Sequence, residues 1–251
     1  MNKAKRIKVI FPVPLEGATR DLVEAQLPKN MVGENYEVEF VGSRSIATLA
    51  DSYYDMQLME VAVIDAGLRA EEEGFSAVCI NTVSDSGLHA LRSRLSIPVL
   101  SAGESAFHMA AMLGHKFSVV TMWKQWLPIY RKTIKEYTLE RKLASVRCID
   151  VRPDTKELLE GKEEFVFEKL ESQAMRAIKE DGADVIILGS TTMHQSYGFL
   201  KESLPVPVVN PGLVAYKLCE TFLELGLAQS KQAYPSPSSF SGDSIFAKLG
   251  S

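Results

Sequence analysis

The chain has 251 residues, 46% hydrophobic and 24% charged, a composition typical of a soluble globular protein with room for one large domain or two modest ones. A formal net charge of −4 provides no cationic excess for binding nucleic acid, and no apolar run approaches the roughly 18–20 residues that a membrane span needs. The three cysteines form no CxxC pair, which excludes a disulfide framework or a zinc ribbon and indicates a reducing, cytoplasmic compartment.

The predicted elements alternate between strands and helices along the chain. Short runs rich in Val and Ile, apolar on both faces, are typical of parallel strands that helices cover on both sides. Gly74 and Gly182 each come after a charged helix end, where a glycine commonly ends the helix. In chain order, strand-like segments occur within 8–12, 36–41, 73–82 and 95–106, then within 117–121, 144–149, 181–190 and 204–215, with helical patterns at 51–73, 165–180 and 212–226 and a surface strap from Gln229.

These strand-like segments form an internal repeat. The four segments of the first half recur in the same order in the second half, at an offset of 108 or 109 residues. Residues 95–106 share five identities in twelve positions with residues 204–215. The repeat predicts an α/β fold of two pseudo-symmetric, doubly wound lobes, each with a four-stranded parallel sheet. The predicted boundaries are 1–113 plus 212–251 for the first lobe and 114–211 for the second.

The repeat places Thr82 and Ser190 at equivalent strand ends. In open parallel sheets, ligands bind outside the carboxyl ends of the strands, so we expect these two hydroxyls on opposite sides of one cleft between the lobes. The loops after these strands are rich in hydroxyls and backbone amides and open helices, which favours a small carboxylate or acidic imide as the ligand. Ser, Thr, Asp and Gly are also ordinary capping and turn residues at such positions. The candidate substrate-binding residues are Pro12, Ser84, Asp85, Gly87, Glu104, Thr121, Thr191, Thr192 and Asn210.

Two motifs resemble the active-site motifs of hydantoin racemases. The run INTVSDSGL at 80–88 resembles the first motif, I-A-C-F-x-D-P-G-L, and DVIILGSTTM at 184–193 resembles the second, G-C-A-G-M. The chain is thus identified as a member of the Asp/Glu/hydantoin racemase superfamily, nearest the hydantoin branch. The resemblance implies two lobes with the active site between them and proton abstraction without a cofactor. It also implies that the family's two catalytic cysteines fall on Thr82 and Ser190.

The absence of both thiols changes the expected chemistry. A thiol has a pKa near ~8.5 that a protein can lower, whereas an aliphatic hydroxyl needs another group to activate it. A second alignment phase, in which Asn81-Thr82 matches the N-T of glutamate racemases, also leaves the site without a thiol. The family's early N-P-N is replaced by Phe11-Pro12-Val13, which puts the usual substrate contacts in doubt. His194, four residues after Ser190, is the best-placed activating base.

Three functions remain open for such a chain. The first is a racemase or related isomerase that removes a proton from an activated carbon of a small hydantoin, amino-acid derivative or carboxylate. The second is a hydrolase or lyase that uses Ser190, and the third is a binding protein that has lost the chemistry. No cofactor or metal is expected, because GxGxxG after a strand, GxxxxGK[ST] and HExxH are all absent from the sequence. The expected partners are a small-molecule substrate and further copies of the chain in a homo-oligomer, with neither nucleic acid nor membrane.

Overall fold

The computed structural model describes residues 4–44, 49–50, 52–153 and 163–243. It contains the predicted α/β architecture, with two four-stranded parallel sheets. The strands of the first sheet and the helices that connect them are, in chain order, β1 (Lys5–Phe11), α1 (Ala18–Ala25), β2 (Tyr36–Gly42), α2 (Tyr53–Gly67), β3 (Ala77–Ile80), α3 (Leu88–Arg94) and β4 (Val99–Ser101). The chain continues with α4 (Ala102–Leu113), β5 (Phe117–Thr121), α5 (Leu127–Glu136), β6 (Leu143–Cys148), α6 (Glu163–Asp181), β7 (Val185–Leu188), α7 (Ser196–Ser203), β8 (Val208–Val209) and α8 (Pro211–Leu225).

The two sheets have the same topology, which confirms the internal repeat. The strand order is β2-β1-β3-β4 in the first and β6-β5-β7-β8 in the second. All strand pairs are parallel, so each sheet gathers its four carboxyl ends along one edge. The third strand of each sheet, β3 or β7, is buried along its whole length, as an apolar run without alternation predicts.

Two observations refine the predicted helix bounds. Helix α2 ends at Gly67, six residues before the predicted end at residue 73, and turns replace its last part: Gly74 N–H donates to Glu71 O, and Phe75 N–H to Ala70 O. Gly74 has φ +79° and Gly182 has φ +74°, a left-handed conformation that a glycine adopts without steric cost. Both glycines therefore end the segments that precede β3 and β7, as predicted.

The contacts divide the chain into two compact units. The first comprises residues 1–81, 86–101 and 216–251, and the second comprises 82–85 and 102–215. The sequence-based boundaries assign α4 to the first lobe, whereas by packing it belongs with the second sheet, where Phe107 of α4 stacks on Phe117 of β5 at 6.1 Å. The short loop 82–85, which carries Thr82, also belongs to the second unit.

The tail from Gln229 is held against the first unit, as the strap prediction requires. The Gln229 amide donates to the carbonyls of Leu95 and Ile97 at 2.8 and 2.9 Å and accepts from Val99 N–H at 3.1 Å. Lys231 Nζ donates to the carbonyl oxygens of Arg92 and Ser93 at the end of α3, where a cation is favourable. Within the described ranges, no helix is long and apolar enough to cross a bilayer.

Candidate active site

The loops after β3 and β7 contain the same pair of hydroxyl groups. In the first, Thr82 Oγ1 lies 2.9 Å from Ser84 Oγ. In the second, Ser190 Oγ lies 2.8 Å from Thr192 Oγ1, so Ser and Thr have exchanged places between the repeats. In each loop the first hydroxyl also accepts from the backbone N–H two residues on, at 3.5 Å in the β3 loop and 3.3 Å in the β7 loop. The two sequence-predicted catalytic hydroxyls thus occupy equivalent local structures.

Ser190 begins a short 3-10 helix, Thr191–Gln195, directly after β7. Its side chain is the N-cap, which accepts from Thr192 N–H, and its carbonyl accepts from Met193 N–H at 3.1 Å. Ser190 is half-buried, as is Thr82. The capping role that the residue type suggests is therefore present, and it holds the Ser190 hydroxyl at the carboxyl edge of the second sheet.

Asp85 anchors the β3 loop. Its backbone has φ +54°, a left-handed conformation that Asp tolerates better than most side chains. One carboxylate oxygen accepts from Gly103 N–H at 2.8 Å and the other from Tyr137 OH at 2.7 Å. A Cβ on Gly103 would lie 2.4 Å from Val83 O and 2.6 Å from the Asp85 carboxylate, so only glycine permits this approach. Asp is an ordinary capping residue after a strand, but the N-cap residue of the next helix, α3, is Gly87, and Asp85 instead binds the first turn of α4.

A buried hydrogen-bond chain anchors the β7 loop. Tyr130 OH donates to Gly189 O at 2.5 Å and lies 2.9 Å from Thr121 Oγ1, so the Thr121 hydroxyl donates to the tyrosine oxygen. Thr121 is fully buried at the end of β5, and its hydroxyl points toward Tyr130. Burial raises the pKa of Tyr130, so its hydroxyl stays protonated and acts as a donor.

His194 lies in the 3-10 helix that Ser190 caps. Its Nδ1 is buried and makes no hydrogen bond of good geometry to any described residue. Burial lowers the pKa of His194 below its ordinary value of about 6.5, although the carbonyl groups of Thr191 and Thr192 oppose that shift. The imidazole is therefore neutral at neutral pH, the form in which histidine accepts a proton. Among the described residues, no hydrogen bond joins His194 to Ser190.

The remaining predicted residues have these positions. Pro12 is buried directly after β1 in the first unit, and Gly87 has φ +76° at the start of α3 in the same unit. Glu104 is half-buried in the first turn of α4, and Thr191 is buried. Asn210 is buried after β8, and its Oδ1 accepts from Leu213 N–H at 3.4 Å at the start of α8. The second unit thus holds Thr82, Ser84, Asp85, Glu104, Thr121, Ser190, Thr191, Thr192, His194 and Asn210.

The three cysteines lie outside both hydroxyl loops. Cys79 is buried in β3 and Cys219 is buried in α8, where its thiol lies 3.7 Å from Val78 O. Burial raises the pKa of Cys219, which makes this thiol a poor nucleophile. Cys148 is half-buried at the end of β6. Within the described part of the chain, no group of three or more His, Cys, Asp or Glu residues has the arrangement of a metal site.

Tyr130 and Tyr137 are the site residues that sequence reasoning missed. They are seven residues apart around α5, with Tyr137 as the C-cap residue, so helical periodicity places them on nearly the same face. This seven-residue spacing, in a helix that comes soon after strand β5 of the repeat, is the sequence signal that could have revealed the two tyrosines. Nothing in the sequence, however, shows that one tyrosine reaches Gly189 and the other Asp85.

Known proteins are similar to this chain in sequence and in fold. Residues 18–219 match the family model of the Asp/Glu/hydantoin racemases. A hydantoin racemase from Pseudomonas sp. strain NS671 is 30% identical over 231 residues, which cover 90% of this chain and 89% of that protein. Allantoin racemase from Klebsiella pneumoniae has a TM-score of 0.85 at 29% identity and covers 94% of this chain and 95% of its own. Allantoin racemase from Pseudomonas fluorescens has a TM-score of 0.84 at 27% identity, and the match covers 93% of this chain and 97% of that protein. The chain belongs to the Asp/Glu/hydantoin racemase family.

Proposed function

We propose that the protein is a racemase-like isomerase that acts, without a cofactor, on the acidic C–H of a small cyclic ureide of the hydantoin or allantoin type. The observation that carries this proposal is the hydroxyl pair built twice, at equivalent strand ends of the repeat. A racemase needs one group for each face of the substrate carbon, and a duplicated loop is suited to that requirement. The relatives described above are racemases of hydantoin and allantoin, which supports the same substrate class here.

The residue types favour a substrate whose C–H is already acidic. A hydroxyl is several pKa units less acidic than a thiol, so Thr82 and Ser190 act as hydrogen-bond donors and not as free bases. His194 is neutral and serves as the base: it takes the proton from the ring carbon, and the electron pair moves onto the adjacent carbonyl oxygen. The hydroxyl donors stabilise that enolate. A proton from solvent, relayed through the Thr82–Ser84 hydroxyl pair of the other loop, adds to the opposite face of the carbon, and the proton held by His194 passes to solvent, which completes the inversion.

Ligand binding without turnover is the second candidate function. The observation in its favour is that the Ser190 hydroxyl caps the 3-10 helix and the Thr82 hydroxyl accepts from Ser84 N–H, and no described histidine or carboxylate is bonded to Ser190. The same observation weighs against a hydrolase or lyase with Ser190 as nucleophile, because an unactivated hydroxyl attacks carbonyls poorly at neutral pH.

Deuterium exchange tests the proposal directly. Single enantiomers of 5-substituted hydantoins and of allantoin are incubated with the protein in D2O, while NMR monitors loss of the ring C–H and chiral chromatography monitors inversion. We expect exchange coupled to inversion, at least about tenfold slower in His194→Gln than in the native protein. Thr221→Ala, which removes an exposed hydroxyl from the surface of α8, is the matched control and should exchange at the native rate. Binding of a ureide with no exchange above the buffer rate would establish the second candidate.

A further inference from the structure

Helix α5 reaches both hydroxyl loops through its two tyrosines. Tyr130 donates to Gly189 O, the carbonyl directly before Ser190, and Tyr137 donates to Asp85, three residues after Thr82. On the basis of the function proposed above, we propose that α5 is the positioning element of the site. Tyr130 sets the orientation of Ser190 and Tyr137 sets that of Thr82, and neither tyrosine contacts the substrate.

The Gly189 carbonyl determines where the Ser190 amide points. Gly189 N–H continues the sheet with a 2.8 Å bond to Val120 O, and its carbonyl is held by Tyr130. A trans peptide is planar, so its C=O and the next N–H point in opposite directions. With the Gly189 carbonyl held by a buried tyrosine, the Ser190 N–H is turned away from that tyrosine. Any rotation of this peptide would move both the N–H and the Oγ of Ser190.

The packing around Gly189 leaves this peptide little freedom. A Cβ at this position would lie 2.5 Å from Thr121 Cβ and 3.0 Å from Tyr130 OH, so the backbone passes directly over these two side chains. Tyr130 is itself 3% exposed and accepts from the Thr121 hydroxyl, which fixes the direction in which its own proton points. Thr121 therefore donates to Tyr130, and Tyr130 donates to the Gly189 carbonyl, so this buried chain of hydrogen bonds ends at the residue before Ser190.

Tyr137 acts on the β3 loop through a carboxylate. Asp85 N–H donates to Thr82 O at 3.3 Å, so Asp85 and Thr82 belong to one turn. The Asp85 carboxylate is held on one side by Gly103 N–H and on the other by Tyr137 OH. Tyr137 is fixed in turn by ring contacts with Phe107 at 6.4 Å and His108 at 5.7 Å, both on α4. A shift of α5 or α4 would therefore displace the turn that carries Thr82.

In this proposal Tyr130 and Tyr137 have a positioning role, although neither takes part in the reaction itself. Misplacement of a catalytic group by about 1 Å can cost up to about 10²-fold in rate, so donors that only hold a loop still influence catalysis. Because Tyr130 of α5 and the C-cap residue Tyr137 supply the two donors, both loops are tied to the position of α5.

Removal of one hydroxyl at a time tests the proposal. Tyr130→Phe and Tyr137→Phe are compared with Tyr216→Phe, which removes a buried tyrosine hydroxyl that donates to Glu220 at 2.7 Å in α8 and serves as a matched control for lost stability. NMR measures amide hydrogen exchange at Thr192 and Gly103, and the ureide assay measures kcat and KM. We expect Tyr130→Phe to accelerate amide exchange at Thr192 only, and Tyr137→Phe at Gly103 only. Each of these two variants should lower kcat by about 10-fold or more with KM within about twofold of the native value. Tyr216→Phe should neither accelerate amide exchange at Thr192 or Gly103 nor lower kcat.

The two readouts keep this proposal separate from the proposed function. Equal acceleration at Thr192 and Gly103 in all three variants would show general destabilisation and overturn the positioning role. Native kcat in both α5 variants would overturn it as well. If the native protein exchanges no ureide at all, the proposed function fails, and the site-selective amide exchange still decides whether α5 holds the two loops.

Discussion

The loop after β3 and the loop after β7 share a hydroxyl pair but differ in the ionisable residue that comes next. After Thr82 and Ser84 comes Asp85, a buried carboxylate whose two oxygens are already bonded to Gly103 N–H and Tyr137 OH. After Ser190 and Thr192 comes His194, whose Nδ1 has no good partner among the described residues and whose pKa is lowered by burial. The repeat thus duplicates the donors and not the ionisable group. The proposed base, His194, belongs to one loop, and the hydrogen-bonded carboxylate of Asp85 belongs to the other.

Introducing a thiol into each of the two loops should produce the largest effect. In the double variant T82C/S190C, each loop gains a group with a pKa near ~8.5 at a strand end where backbone amides favour the thiolate. We expect deuterium exchange at the ring carbon of a hydantoin to rise on the order of 10²-fold. Each single variant should exchange one enantiomer more than the other, because in the proposed reaction each loop serves one face of the substrate carbon. The measurement is NMR of the C–H signal in D2O.

The control for this experiment is Thr221→Cys, which places a thiol on the exposed surface of α8. It should leave the exchange rate unchanged. A double variant that folds but exchanges no hydantoin or acidic amino acid faster than the native protein would show that the two loops do not have a racemase geometry.

Replacing Asp85 should produce the next largest effect, which is a loss of stability. Asp85→Ala removes both hydrogen bonds to the carboxylate and puts Ala at φ +54°, so we expect the free energy of unfolding to fall by about 3 kcal/mol. Asp85→Asn keeps one acceptor oxygen and tolerates the left-handed backbone, so its loss should be about half as large. Urea unfolding monitored by circular dichroism measures both values, and equal losses in the two variants would contradict the anchoring role.

These contrasts also show how much of the molecule could be predicted from its sequence. Uniformly apolar runs predicted β3 and β7 as buried strands, and the constant offset predicted that Thr82 and Ser190 occupy equivalent positions, because both signals are local or periodic. The contact between Asp85 and Gly103 escaped prediction, since it joins residues 18 positions apart and depends on the left-handed backbone of Asp85. The contact between Tyr130 and Gly189 escaped for the same kind of reason: 59 residues separate a helix from the strand end it supports.

A smaller effect concerns pH. Since burial lowers the pKa of His194 in the folded state, the unfolded chain takes up a proton first as the pH falls through about 6.5. Stability from the neutral imidazole is therefore fully present above that pH and declines below it. We expect the free energy of unfolding to fall more between pH 7.5 and pH 5 in the native protein than in His194→Gln, and the acidic limb of the exchange-rate profile to lie below the ordinary histidine pKa. Identical pH dependence in both proteins would contradict a buried, neutral His194.

The smallest expected effect is that of thiol reagents. If the hydroxyl loops and His194 perform the reaction, none of the cysteines takes part, and alkylation should leave exchange activity unchanged. Cys79 and Cys219 are buried, and the raised pKa of Cys219 slows its reaction further, so iodoacetamide should modify Cys148 first in the native protein. Mass spectrometry identifies the modified residue and the D2O assay measures the remaining activity. Cys148→Ser, treated in the same way, is the control. Activity lost from the native protein but retained by that variant would place Cys148, and not the paired hydroxyls, at the reacting carbon.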